Sequence, residues 1–467
     1  MKHWLQDLFK PESVAVIGAA NNPDKMGYGY FSGLVEMGIV DKLYPVNIKG
    51  ETVLGIKGCS SIVDVPGSVD YVICAIPAHS VPRLMEECSI KGVRFVHMFT
   101  SGLSETGVEE NVALEKEIIS IARKGGIRVL GPNCMGIYSP DAGLTFYPGF
   151  SPESGEAAFI SQSGGLVERM IRIGEVDGVH FSHVVSYGNA ADLNETDLLE
   201  YFAQDNDSRV IGMYLEGVRD GRKLLLALKE AVRKKPVVML KGGMTEAGSH
   251  TAASHTGSLS GVDKIWSSIC RQTGVIRVYS MEEMLDILMT LLIFPIPRGP
   301  NGALIGEGGG TSVLAADDFN NAGLALPPLP SDIRRQLDRY TPKAGTSIRN
   351  PVDSLMLLKN PDSLYDTISS VASYSGIDFI VLHMTLDLPP LLCDDVLLEK
   401  AILALIEASR DCGKPIALVM LTDGTPQRWE ATLTLRRKCL EAGIPVFKTI
   451  KRATTAISTL FLNGAYK

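Results

Sequence analysis

The chain has 467 residues, 45% hydrophobic and 21% charged, with 45 Lys and Arg against 53 Asp and Glu for a net charge of −8. That length allows about three domains, each able to bury a core. The acidic balance argues against a nucleic-acid polyanion as the main partner, and the ordinary composition against a disordered chain.

The N-terminal MKHWLQDLFKPES lacks the apolar core of a signal peptide. From there, short apolar runs at Val14–Ile17, 71–76, Phe95–Met98 and Arg128–Leu130 alternate with amphipathic stretches such as Val81–Lys91 and 110–124. Continuous apolar strands separated by helices predict a parallel sheet covered on both faces. After Gly131-Pro132-Asn133 the pattern restarts, with strands expected at 157–160, 180–185, Val210–Leu215 and 236–240. A Pro- and Gly-rich break at 295–302 precedes a third set at 303–305, 379–382, 415–421 and 445–447. The apolar stretch 281–297 carries Glu282, Glu283 and Asp286 and is too short to span a bilayer. Eight cysteines (59, 74, 88, 134, 270, 393, 412, 439) have no metal-site spacing and read as reduced, mostly buried thiols. The expectation is an α/β chain of three doubly wound domains, 1–130, 131–297 and 298–467.

The first strand turns through Gly18-Ala-Ala-Asn-Asn-Pro-Asp-Lys-Met-Gly27. Backbone amides at such a turn can hold a pyrophosphate at a helix N-terminus. The GxGxxG dinucleotide fingerprint is absent. After the second strand, where an NAD site wants an acid, the chain has Lys49, which suits an extra ribose phosphate as in CoA or NADP. The plain alternative is that Gly18 makes a tight turn and Lys49 is a solvated charge. Pro77, Thr100 and Ser101 end later strands, on the edge where doubly wound sheets bind ligands.

The most specific segment is 241–261, a long run of small and polar residues around Ser254-His255-Thr256-Gly257-Ser258. Structureless loops of that length are usually functional or disordered. A histidine nitrogen is a good phosphoryl acceptor when the other nitrogen is held by a carboxylate or carbonyl. Glu216, ending the strand that starts at Val210, is a candidate for that carboxylate. His250 competes with His255 as nucleophile, but only His255 has the Ser-His-Thr-Gly setting. Two further strand-to-helix turns are phosphate-shaped, with Ser161, Ser163, Gly164 and Gly165 in one and Gly308, Gly309, Gly310, Thr311 and Ser312 in the other.

Ser254–Ser258, Gly131-Pro-Asn-Cys-Met-Gly136, Ser161-Gln-Ser-Gly164, Ser186-Tyr-Gly-Asn189 with Asp192, and Asn350-Pro-Val-Asp353 occur together along the whole chain. In this the sequence resembles the NDP-forming acyl-CoA synthetases, which include ADP-forming acetyl-CoA synthetase, with its alpha subunit, and, more distantly, succinyl-CoA synthetase. The resemblance implies a CoA-binding Rossmann-like domain followed by two flavodoxin-like ligase domains. It also implies a phosphohistidine on His255, Glu216 as its orienting acid, and phosphate-binding turns at Ser161, Ser163, Gly164, Gly165, Gly309, Gly310 and Thr311. Gly18, Ala20, Lys49, Pro77, Thr100, Ser101, Asn133 and Cys134 are the implied CoA contacts, with no metal ligand in this chain. Two positions depart from the family: Ala20 stands where many relatives have Ser, and Glu307-Gly-Gly-Gly-Thr311 replaces the usual Ala-Gly-Gly-Pro-Gly pattern.

No P-loop and no ATP-grasp domain is recognisable. The implied enzyme is therefore an alpha subunit that takes ADP or ATP with Mg2+ on a separate ATP-grasp beta subunit, in an α2β2 assembly. Its substrates would be a carboxylic acid and CoA thioester, without nucleic acid or membrane, in the cytoplasm. A non-catalytic CoA-responsive module and an NADP oxidoreductase are the alternatives; the first leaves the histidine loop idle and the second lacks a hydride-transfer constellation.

Overall fold

The computed structural model describes residues 3–39, 42–248, 262–339, 347–354, 356–386, 394–422 and 429–462. They divide into two compact units, Met1–Glu175 with Val179–Met284 and Val176–Gly178 with Leu285–Lys467. The first unit carries two sheets and the second unit one.

The first sheet contains β1 (Val14–Ile17), β2 (Leu43–Val46), β3 (Tyr71–Cys74), β4 (Phe95–Met98) and β5 (Arg128–Leu130) in the order β2-β1-β3-β4-β5. All its pairings are parallel. β1, β3 and β4 are buried along their whole length, which is why β1 and β3 read as unbroken apolar runs and β4 as one broken only by His97. Pro45 sits in the edge strand β2, where a missing amide is tolerated.

The second sheet runs β11-β10-β9-β7-β8-β6, from β6 (Gly136–Tyr138), β7 (Ala157–Ser161), β8 (Phe181–Ser186), β9 (Val210–Leu215), β10 (Val237–Lys241) and β11 (Ile276–Val278). Only β6 is antiparallel among these described strands. The third runs β13-β14-β12-β15-β16-β17, from β12 (Gly302–Gly306), β13 (Ser347–Ile348), β14 (Val352–Asp353), β15 (Phe379–Thr385), β16 (Ile416–Leu421) and β17 (Val446–Phe447). Here β13 is the antiparallel edge.

Set aside the antiparallel edges, and each sheet has the strand order second-first-third-fourth-fifth. Strand order therefore reverses at three places: between β1 and β3, β7 and β9, and β12 and β15. Crossover helices change face there and leave a crevice beyond the strand C-termini. The doubly wound α/β class expected from the sequence is the class observed. No sequence repeat announces the shared topology.

Within the first unit, the two sheets are joined by a segment running alongside β5. Asn189, Ala191 and Leu193 donate backbone hydrogen bonds to Pro132, Gly131 and Val129 at 3.0, 3.0 and 3.1 Å. The Asp192 carboxylate accepts from Arg128 Nε at 2.7 Å and Val129 N at 3.0 Å. A Cβ at Gly188 would lie 2.2 Å from the Pro132 carbonyl, so only glycine fits this approach.

Candidate functional site

The expected CoA contacts gather at the C-terminal edge of the first sheet. Gly18 follows β1 with φ +90, and a Cβ there would lie 2.5 Å from the Ala75 carbonyl after β3. A Cβ at Gly27 would lie 2.0 Å from the Gly18 carbonyl, so the helix Met26–Glu36 starts hard against the turn. Ala20 is half-buried, and Lys49, beyond β2, is exposed and pairs with Glu51 at 3.5 Å. Asn21 ties the two loops together, donating to Thr52 O at 2.9 Å and accepting from Leu54 N at 3.1 Å. Pro77 and Ser101 are exposed. Thr100 is buried, its hydroxyl donating to Ile76 O at 2.7 Å and its carbonyl accepting from Asn133 N at 3.0 Å. Asn133 takes a left-handed φ of 57. Cys134 lies beneath this edge with its thiol turned to Met98 O, and burial pushes that thiol far above its ordinary pKa. It packs and stays protonated.

This edge is wired to the second sheet. Asn189 donates to Glu105 Oε2 at 2.6 Å and Glu115 Oε2 at 3.1 Å, while Arg219 donates to Asn189 O at 2.9 Å. The loop after β4 and the segment after β8 thus share one polar network.

At the second reversal point, Ser161 ends β7 with its hydroxyl donating to Ser163 O at 2.9 Å and accepting from Ser163 N at 3.1 Å. It braces the turn. Ser163 is half-buried at the start of helix Gly164–Asp177, whose first amides have no intrahelical acceptor. Gly165 has open space where a side chain would be, but a Cβ at Gly164 would meet Met135 at 2.8 Å.

Glu216 immediately follows β9 and is buried. Its Oε1 accepts from the Tyr214 hydroxyl at 3.2 Å, and its Oε2 has no partner among the described residues. Gln162 Oε1 accepts from the Glu216 and Gly217 amides at 2.9 and 3.1 Å, locking the ends of β7 and β9 together. Lys241, ending β10, donates from Nζ to Glu216 O at 2.7 Å and to Gly242 O. Its ammonium also sits 5.2 Å from the centre of the Trp266 ring, in helix Asp263–Thr273. Burial lowers the Lys241 pKa to about 8, against the opposing pull of Glu216. Both described flanks of the 241–261 segment are therefore anchored at one ammonium beside Glu216. His250 and His255 lie outside the described residues.

At the third reversal point, Gly308 has φ +99 and Gly308, Gly309 and Gly310 are exposed at the start of helix Gly309–Asn321. Thr311 is half-buried. Asp353 Oδ1 accepts from Gly308 N at 2.8 Å. Asn350 accepts from Leu304 N at 3.1 Å and donates to Gly302 O at 3.1 Å and Pro327 O at 2.9 Å. The Asn350–Asp353 motif thus braces β12 with its first residue and holds the glycine turn with its last. Elsewhere, His183, Asp205 and Asp207 offer ligand atoms within 4.8 Å of one another. Those carboxylates already hold Lys235 and Lys10 as counter-ions.

Residues 12–140 match the CoA binding domain family, and residues 154–291 the succinyl-CoA ligase like flavodoxin domain family. The alpha subunit of ADP-forming acetate–CoA ligase I of Pyrococcus furiosus is 36% identical over 99% of this chain and 98% of its own. The chain belongs to the ADP-forming acyl-CoA synthetase family. The alpha subunit of the second such P. furiosus ligase is 38% identical over 81% of each chain. Among solved structures, dinucleotide-forming acetyl-coenzyme A synthetase 1 of Ca. Korarchaeum cryptofilum, in complex with phosphate and ADP, superposes with a TM-score of 0.85. It is 31% identical and covers 100% of this chain and 97% of its own. With relatives named as ADP-forming ligases, the non-catalytic module and the oxidoreductase are not favoured. Among the described residues, no helix is long and apolar enough to cross a membrane.

Lys241, Gln162 and Tyr214 are the site residues that sequence reasoning missed. Gln162 lies inside the Ser161–Gly164 motif and Lys241 opens the 241–261 segment, but their roles depend on partners distant in sequence, and that of Tyr214 on alternation along one strand, which the motifs do not reveal.

Proposed function

We propose that the chain is the alpha subunit of an ADP-forming acyl-CoA synthetase, catalysing acyl-CoA + ADP + phosphate ⇌ acid + CoA + ATP. Phosphate oxygen attacks the thioester carbonyl, the C–S bond breaks, and CoA leaves as thiol with an acyl phosphate formed. A His255 ring nitrogen then attacks phosphorus and the carboxylate leaves. The phosphohistidine finally gives its phosphoryl group to ADP.

The observation that carries this reading is Glu216 Oε2, buried at a strand end without a partner among the described residues, beside the root of the histidine segment. A buried carboxylate oxygen in that state is costly unless a donor arrives, and an imidazole N–H is such a donor. Holding one ring nitrogen as donor leaves the other as the nucleophile. Ser163 and the amides of Gly164 and Gly165 would receive phosphoryl oxygens, as would those of Gly309, Gly310 and Thr311, stabilising charge by prealigned dipoles. Ser161 would act by shaping the first of these turns.

CoA would lie over the first sheet's edge, with its pyrophosphate by Gly18 and Ala20 and its ribose phosphate by Lys49. Pro77, Thr100, Ser101 and Asn133 would line the pantetheine side, and Cys134 would support it from below. ADP or ATP with Mg2+ would bind an ATP-grasp beta subunit, in an α2β2 enzyme of the cytoplasm. The seven described cysteines are all free, which suits a reducing compartment. Domain extents of 1–130, 131–297 and 298–467 fit one reversal point each.

The test is to purify the chain with its beta subunit and screen carboxylic acids for CoA- and ATP-dependent phosphate release. Release dependent on all three substrates supports the reading; release without CoA, or none with any acid, counts against it.

A further inference from the structure

The turn after β12 holds more unpartnered polar atoms than a closed structural turn requires. Glu307 is 5% exposed; its Oε1 accepts from the Thr385 amide across the reversal point, and its Oε2 has no partner among the described residues. Ser312, in the first turn of helix Gly309–Asn321, and Ser354, directly after β14, are buried, and their hydroxyls have no partner among the described residues. All three surround one stretch of backbone: Ser354 N donates to Gly306 O at 2.8 Å and Ser312 N to Gly308 O at 3.0 Å. Leaving such groups dry costs roughly 1–3 kcal/mol each, so the cluster calls for a polar ligand.

The charge at this turn narrows the ligand. Asp353 already receives the Gly308 amide, and a Cβ at Gly309 would lie 3.3 Å from Asp353 Oδ2. His383, on β15, is wholly buried, with neither ring nitrogen partnered among the described residues and its ring against Gly306; burial lowers its pKa to about 4, so it stays neutral. An ionised Glu307 would therefore place a second negative charge beside Asp353 with no cation among these groups. Burial, aided by Asp353, pushes the Glu307 carboxyl up to about 7, although Thr385 and the Glu307 amide favour ionisation. A neutral carboxyl is a donor, and it stands beside a helix start whose free amides favour an anion.

We propose that protonated Glu307 donates a hydrogen bond from Oε2 to an oxyanion seated on the first turn of helix Gly309–Asn321, with Ser312 and Ser354 completing the cradle. The oxygen is of carboxylate or phosphoryl type. This deepens, and rests on, the reading of Gly309, Gly310 and Thr311 as an anion subsite. The Ala-Gly-Gly-Pro-Gly turn of the family has no such acid, so anion capture here is coupled to a proton.

The test uses the full chain without CoA or nucleotide, titrated calorimetrically with acetate and separately with sulfate. Neither anion changes its ionisation between about pH 6 and about pH 8. Affinity for the anion that uses the site is expected to fall about tenfold over that range, as a carboxyl titrating near 7 would dictate. Glu307→Gln, whose amide donates at any pH, should bind with affinities within about twofold across it. Acetate responding marks the acyl side of the reaction, and sulfate the phosphoryl side. The infrared band of a protonated carboxyl should shift on anion addition in the parent, a readout that survives if the variant misfolds. A parent that binds neither anion at the lower pH, a variant with the parent's pH slope, or an unmoved band overturns the proposal. Phosphorylation of His255 is read in a separate assay, so failure here and failure of the ligase reading are distinguishable.

Discussion

The side-chain carbonyl of Gln162 accepts from the Glu216 amide at 2.9 Å, and the same oxygen takes the Gly217 amide at 3.1 Å. One amide group thereby spans the strand reversal of the second sheet and sets where the Glu216 carboxylate begins. Gln162 also immediately precedes Ser163 and the helix start, so acid and phosphate turn share one brace.

Replacing that brace should loosen the acid without touching CoA. Gln162→Leu leaves two buried amides unpartnered, each costing roughly 1–3 kcal/mol. The expected outcome is a lower melting temperature and phosphohistidine formation slowed by about tenfold or more. CoA affinity, measured by calorimetry, should stay within about twofold.

Glu216→Gln keeps the shape and removes the charge. Without a carboxylate to hold the imidazole, phosphoryl transfer is expected to slow by about 10²-fold or more. Rapid-quench measurement of the phosphoenzyme checks this, with thermal unfolding as the control for an intact fold.

At the first sheet's edge, Lys49 is solvated and its pair with Glu51 contributes little to stability. Its predicted work is on the ribose phosphate. Lys49→Ala should weaken CoA binding by about fivefold, on the order of 1 kcal/mol for an exposed charge pair. Binding of dephospho-CoA should be unchanged. Equal weakening of both ligands would remove Lys49 from that role.

Much of this arrangement is legible in the order of the residues alone. β1, β4 and β5 stand at the expected bounds, because strands buried on both faces are apolar except where a polar residue finds a partner, as His97 does in β4 and Arg128 at the start of β5. The two-residue strands β13 and β14 are not legible, since two residues carry no period. Glu216 can be singled out as an acid at a strand end, and Glu307 as a departure from the family turn. Their partners cannot: Gln162 lies 54 residues from Glu216, and Thr385 lies 78 from Glu307. Cys134 can be singled out by its place in a glycine turn, and its burial with the thiol turned to Met98 O suits a packing residue.

Two buried histidines should set an acid limit to stability. Burial lowers His97 and His383 to about 4, from an ordinary value near 6.5. Between those values the unfolded chain binds protons that the folded chain refuses, so stability falls as pH drops from about 6.5 to about 4. Above that window the contribution is constant, and the full loss is on the order of 3 kcal/mol per histidine. Urea unfolding at several pH values checks it; His97→Gln, which keeps a donor for Cys134 O, should flatten the slope.

His255 is expected to carry the phosphoryl group. The direct measurement incubates the enzyme with acyl-CoA and labelled phosphate, without nucleotide, and maps the label by mass spectrometry. An acid-labile, alkali-stable phosphate is expected on His255, absent from His255→Ala, which should also make no ATP. Label on another residue, or ATP formed by His255→Ala at the parental rate, would contradict it.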